Sequence, residues 1–176
     1  MTLPLLLLGC AAAWRPDAPG RFDLAVPAGW EVTRNTRFLG THVLAMANDG
    51  ARATITVALV PGAAGARDVP LDLVAESRAL TSGRALGIQS GRTRLHQIAL
   101  DGHEAWAVTG RRRWQFVEAD YTAIYARVGP HLAEITLQTP AGQLDRSLTA
   151  WATVLDSLRF PRDPVAADAP QFDPDE

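Results

Sequence analysis

The sequence predicts an α+β domain, an antiparallel β-sheet flanked by two main helices. Three observations carry this. Short runs alternate apolar and polar residues with a period of two, as in Ile55, Val57 and Leu59 between Thr54 and Thr56. Turn-forming residues separate one such run from the next, which implies hairpins and hence antiparallel pairing. Two segments have helical spacing instead, the clearer being Leu144, Leu148, Trp151, Leu155 and Leu158. Helices laid against an antiparallel sheet make a layered α+β domain.

The elements follow in order. Phe22, Leu24 and Val26 alternate before the turn Pro27-Ala28-Gly29, and Trp30 to Val32 restarts a short strand. Phe38 to Ala47 reads as a further strand, closed by Asn48-Asp49-Gly50, where Asn and Gly tolerate positive φ. The Ile55–Val57–Leu59 strand ends at Pro61-Gly62. A helix should start near Asp68, a good N-cap, with Pro70 in its first turn and Leu71, Val74 and Ala75 on its apolar side. Gly83 and Gly87 are expected to break it. A strand over about 92–100 meets Asp101-Gly102, the strongest hairpin signal in the chain. Trp106 and Val108 share a face of the next strand, and 114–128 is long enough for a strand with a bend. Gly129-Pro130 turns the chain into a last strand marked by Ala133, Ile135 and Leu137. Thr139-Pro140 is expected to open the second helix as N-cap and first residue, and Pro161 to end it.

The run Phe22-Asp-Leu-Ala-Val-Pro-Ala-Gly-Trp30 resembles the opening motif of the PsbP-like superfamily. Asp101-Gly102 before a strand, and the ending Trp151-Ala-Thr-Val-Leu-Asp-Ser-Leu-Arg-Phe160, are similar to that group's later hairpin and closing helix. The resemblance covers about 21–160 and implies an antiparallel sheet covered by helices, a PsbP-like α/β/α sandwich. It implies function only by analogy: members act as accessory subunits, adaptors and chaperones for apolar segments of secreted effectors. The motif residues have structural roles, with Pro27 and Gly29 making a turn and Trp30 supplying a large buried face.

Composition narrows the function classes. The chain has 176 residues, 47% of them hydrophobic, enough for one well-formed core. All 17 basic residues are arginine, which removes any lysine Schiff base or phosphate-loop lysine. The formal net charge of -2 is uneven. Residues 161–176 hold Arg162 against Asp163, Asp168, Asp173, Asp175 and Glu176, and read as an acidic, disordered tail. The remainder is only weakly basic, too little for nucleic-acid binding.

The single cysteine forbids an internal disulfide and a multi-cysteine metal site. It stands at the end of an apolar run, Leu7-Leu8-Gly9-Cys10, which resembles the bacterial lipobox. The resemblance implies removal of residues 1–9 and acylation of the Cys10 thiol, with 10–20 as a tether rich in Ala and Pro. Several acyl chains would hold the protein stably on a membrane. Ala11, in place of an aspartate, favours the periplasmic face of the outer membrane.

No catalytic set is legible. His42, His96, His103 and His131 lack metal-ligand spacings, so neither a metal nor another cofactor is expected. Ser77, Ser82, Ser90, Ser147 and Ser157 lack a nucleophile elbow. Glu118 and Asp120 share a strand face, where carboxylates are more often solvated than catalytic. The most conspicuous cluster is Arg111-Arg112-Arg113-Trp114, with Arg111 and Arg113 on one face and Arg112 and Trp114 on the other. It reads either as a docking site for an acidic partner or lipid headgroups, or as a charged hairpin tip paired to Glu118 and Asp120. The expectation is a non-enzymatic, lipid-anchored envelope protein that recognises another envelope protein by a sheet face or loop edge. A chaperone or carrier for apolar segments, and an enzyme, stand as alternatives.

Overall fold

A computed structural model describes residues 14–15, 22–38, 41–61, 69–85, 94–114 and 117–160. The strands are β1 (Trp14–Arg15), β2 (Leu24–Ala25), β3 (Glu31–Phe38), β4 (Thr41–Asn48), β5 (Ala53–Pro61), β6 (Arg94–Leu100), β7 (His103–Trp114), β8 (Val117–Val128) and β9 (His131–Pro140). Helix α1 (Leu71–Ala85) lies between β5 and β6, and a 3-10 turn, Leu144–Ser147, leads into α2 (Leu148–Ser157). β3 to β9 form one antiparallel seven-stranded sheet in the order β3-β4-β5-β9-β8-β7-β6. Two meanders, β3–β5 and β6–β9, are thus joined edge to edge where β5 meets β9. This is the antiparallel sheet with two helices that the sequence pattern requires.

Alternation along each strand divides the apolar residues between two faces. One face carries Met46, Ile55, Val57, Ile124, Ile135 and Leu137 under Trp151 and Val154 of α2 and Leu158 just after it. The other carries Val108, Tyr121, Ala123, Tyr125 and Leu132 under Leu71 and Ala75 of α1. The result is three layers, helix, sheet, helix. Among the described residues no helix is long and apolar enough to cross a membrane.

Several boundaries differ from the expectation, each for a local reason. Phe38 to Ala47 is not one strand: β3 and β4 pair Phe38 with Thr41, so the chain reverses between them. After Asn48 the positive φ falls on Arg52 (51°), because the loop has four residues and Asn48 serves as an acceptor for the Ala51 N–H at 2.8 Å. Asp101 and Gly102 take φ of 48° and 80°, the two left-handed residues that a tight hairpin turn needs. The strand expected over 114–128 begins at Val117, and Trp114 ends β7 instead.

In α1, Asp68 lies outside the described residues, and Pro70 precedes the helix, its carbonyl accepting the Val74 N–H at 3.2 Å. The helix runs through Gly83 to Ala85; one glycine costs only about 1 kcal/mol against alanine and need not end a helix. Gly87 lies outside the described residues. Thr139 and Pro140 are the last residues of β9, not the start of α2, because β8 is long enough to pair Asp120 with Thr139 and Ala119 with Pro140. Proline is tolerated there at a strand end, where the ladder stops. The helical segment starts at Leu144, after a turn in which Gly142 has φ 76°.

The domain's two ends are tied together. Asp23 and Arg159 exchange backbone hydrogen bonds at 2.9 and 2.8 Å, and the Ala25 N–H donates to Ser157 Oγ at 2.9 Å. The Phe160 N–H donates to the carboxylate of Asp101 at 2.8 Å, fixing the same segment to the β6–β7 turn. β1 pairs with β2, so the stretch read as a tether contains a short strand.

Candidate functional site

The arginine cluster occupies the last four positions of β7. The ladder sets Arg111, Arg112, Arg113 and Trp114 opposite Asp120, Ala119, Glu118 and Val117 of β8. Arg111 Nε donates to Asp120 Oδ1 at 2.7 Å and Nη2 to Oδ2 at 3.4 Å. The backbone N–H of Gly142 donates to the same Oδ2 at 2.6 Å. Arg111 is therefore engaged within the fold, while the side chains of Arg112, Arg113 and Trp114 lie outside the described residues. Asp120 is equally engaged, while Glu118, two residues before it, is exposed. Beside this ladder end, Val117 is 65% exposed.

Burial alone would raise the pKa of Asp120, but the Arg111 hydrogen bond, the Gly142 N–H and the Arg111 charge outweigh it and hold the carboxyl below its ordinary range. A carboxyl depressed in the folded state adds stability above its unfolded pKa, and that stability is lost as pH falls through the folded value. The unfolding midpoint of the wild type should therefore fall more steeply than that of Asp120→Asn below about pH 4. Thermal melts of both proteins between pH 7 and 3, with parallel curves as the contrary result, would check this. Gly142 had no signal in the sequence, because its partner lies 22 residues away and only the β8–β9 register brings the two together.

The histidines lie apart. His42 is fully buried, stacked on Phe22 at 4.5 Å, with Nε2 bonded to Asn35 Oδ1 at 2.9 Å. His103 meets the Phe160 ring edge-on at 5.7 Å. His96 is exposed and His131 half-buried. Among the described residues no three His, Cys, Asp or Glu side chains are grouped so as to hold a metal ion. Cys10 lies outside the described residues.

A surface that the sequence did not single out is set by the position of α1. That helix contacts β6, β7 and β8. On the same side of the sheet, the β3–β5 half is not under α1. There Val43, Ala45 and Ala47 of β4 adjoin Thr56, Ala58 and Val60 of β5, all partly exposed. Their counterparts on the opposite side, Leu44, Met46, Ile55, Val57 and Leu59, are buried. The contrast comes from strand alternation, and the side chains on this half of the sheet are small. Alternation was legible in the sequence, but not which half of the sheet the single helix would cover.

No protein-family model matches the sequence, and no curated protein does. Solved structures share the fold. The solution structure of cyanobacterial PsbP (CyanoP) from Synechocystis sp. PCC 6803 superposes with a TM-score of 0.62 at 14% identity, over 90% of this chain and 98% of that one. LpqN of Mycobacterium tuberculosis, described as involved in cell envelope biogenesis, gives 0.55 at 13% identity, over 82% and 87%. A crystal structure from Bacteroides thetaiotaomicron gives 0.51 at 11% identity over 81% of this chain, which spans about half of that protein, 46% of its length. The chain thus has the PsbP-like α+β sandwich fold.

Proposed function

We propose that this chain is a lipid-anchored accessory protein of the bacterial envelope that recognises another envelope protein and performs no chemistry of its own. The observation that carries the recognition half is the partly exposed β4–β5 surface of small side chains beside α1. Its small side chains suit close packing against a partner's backbone or sheet better than they suit a deep groove for bulky segments. The anchoring half stands on the lipobox-like Leu7-Leu8-Gly9-Cys10, with Ala11 favouring the periplasmic face of the outer membrane. The fold it shares with LpqN, a protein of cell envelope biogenesis, agrees with the compartment.

Two measurements test the halves separately. In a bacterial host, palmitate should label the wild type and not Cys10→Ser, and the variant should leave the membrane fraction. An unlabelled wild type would end the anchoring claim. For recognition, a photo-crosslinking residue at Ala45 or Ala58 should give one adduct of defined mass, while the same residue at exposed Asp156 of α2 gives none. Adducts equal at all three positions, or absent from the first two, would remove the surface from consideration.

A further inference from the structure

Among the described residues the seven-stranded sheet has two edges, β3 and β6, and they are built differently. An edge strand offers unpaired N–H and C=O groups, and proteins that stay apart blunt such edges with charges, bulges or proline. β3 is blunted: Glu31, Arg34 and Arg37 are exposed along it, and its register with β4 is bulged between Val32 and Arg34. β6 is not. It pairs with β7 through seven consecutive positions without a bulge. Its one arginine, Arg94, stands at its first position, and from residue 95 to 100 it reads Leu-His-Gln-Ile-Ala-Leu, with no proline, lysine, arginine or carboxylate. Leu95 is 37% exposed, and His96, Gln97 and Ala99 are exposed with it.

We propose that the outer edge of β6 pairs with β6 of a second copy of this chain, antiparallel and centred on Gln97, so that the sheet continues across a twofold axis. The occupant follows from the order of residues. With Gln97 opposite its own copy, exposed Leu95 meets Ala99 of the partner, apolar against apolar, on the side of the sheet that bears α1. His96 meets Ile98 of the partner on the other side, so the two His96 rings do not face each other. The Gln97 side chain donates to Glu104 of β7 at 3.4 Å, on the face of the sheet rather than across its open edge. Directly opposed residues of the two copies would supply each other's cross-strand pairs, the unit by which sheets are stabilised. A twofold interface must be self-complementary in this way. The proposal stands on β6 alone, apart from the β4–β5 surface, so either can fail without the other.

The test uses the full chain with Cys10→Ser, which removes the only native thiol. In that background Gln97→Cys should form a disulfide-linked dimer under mild oxidation about tenfold or more faster than Thr36→Cys on β3, because opposed residues at a twofold lie within disulfide reach. Sedimentation equilibrium should give a dimer mass for the Cys10→Ser parent that depends on concentration. It should give a monomer mass for Gln97→Lys, which sets like charges at the axis. Melting curves of the variants show that they remain folded. Equal disulfide rates for Gln97→Cys and Thr36→Cys, a monomeric parent throughout the micromolar range, or an undisturbed dimer in Gln97→Lys would each overturn the proposal.

Discussion

Replacing Trp151 by alanine should lower the stability of the domain by about 3–5 kcal/mol, the range for removing a large aromatic side chain from a core. Trp151 is 8% exposed and lies with Val154 on the side of α2 that meets the sheet. Helix α2 has ten residues, and helices shorter than about 12–15 residues are marginal in water without tertiary packing. Trp151 therefore holds the helix in place as well as burying its own surface. A loss of this size is a large fraction of the roughly 5–15 kcal/mol by which domains are stable. Urea unfolding should show a lower midpoint. Ala152→Ser, one residue along on the exposed side, should change stability by less than about 0.5 kcal/mol. A Trp151→Ala midpoint within error of the wild type would mean that α2 is not part of the cooperative unit.

Gly110→Ala should cost about 1–3 kcal/mol, the range for forcing an extra carbon into a packed core. Gly110 of β7 stands directly opposite Tyr121 of β8. A Cβ built on it would lie 2.9 Å from Tyr121 Cε1 and 3.0 Å from its hydroxyl oxygen. Tyr121 is 2% exposed and packs in the core beneath α1, so its ring has little room to withdraw. The glycine lets the tyrosine ring cover its backbone, an arrangement known to support glycines in sheets. If overpacking is the cause, Tyr121→Leu should be less damaging beside Gly110→Ala than in the wild type. A double-mutant cycle by thermal melts reads that coupling, and simple additivity would refute the contact.

The sheet was legible because its rules are local. Alternation in β5 and β9, and the Asp101-Gly102 turn, needed only neighbouring residues to be read. The resemblance of Phe22 to Trp30 to a known opening added the order of the layers. What could not be read depends on partners distant in sequence. Whether Thr139-Pro140 starts a helix or prolongs a strand is decided by the length of β8, and the bond from Gly142 to Asp120 by the same register. The arginine cluster was visible as composition, but its meaning was not, since a free docking arginine and one held by a carboxylate across a ladder look identical in one dimension. The half of the sheet that α1 does not contact was invisible for a similar reason. Its residues alternate like any half-buried strand, and only the placement of α1 over β6, β7 and β8 sets them apart.

If the chain is held by its leading end, as proposed above, the bridge between Asp23 and Arg159 matters. Tension arriving through the residues before Phe22 would be carried first by β2 and this short clasp. From there it would pass into α2 and the Phe160–Asp101 bond. The seven-stranded ladder lies farther along that load path, so a tug on the leash need not shear the strands on which recognition would depend.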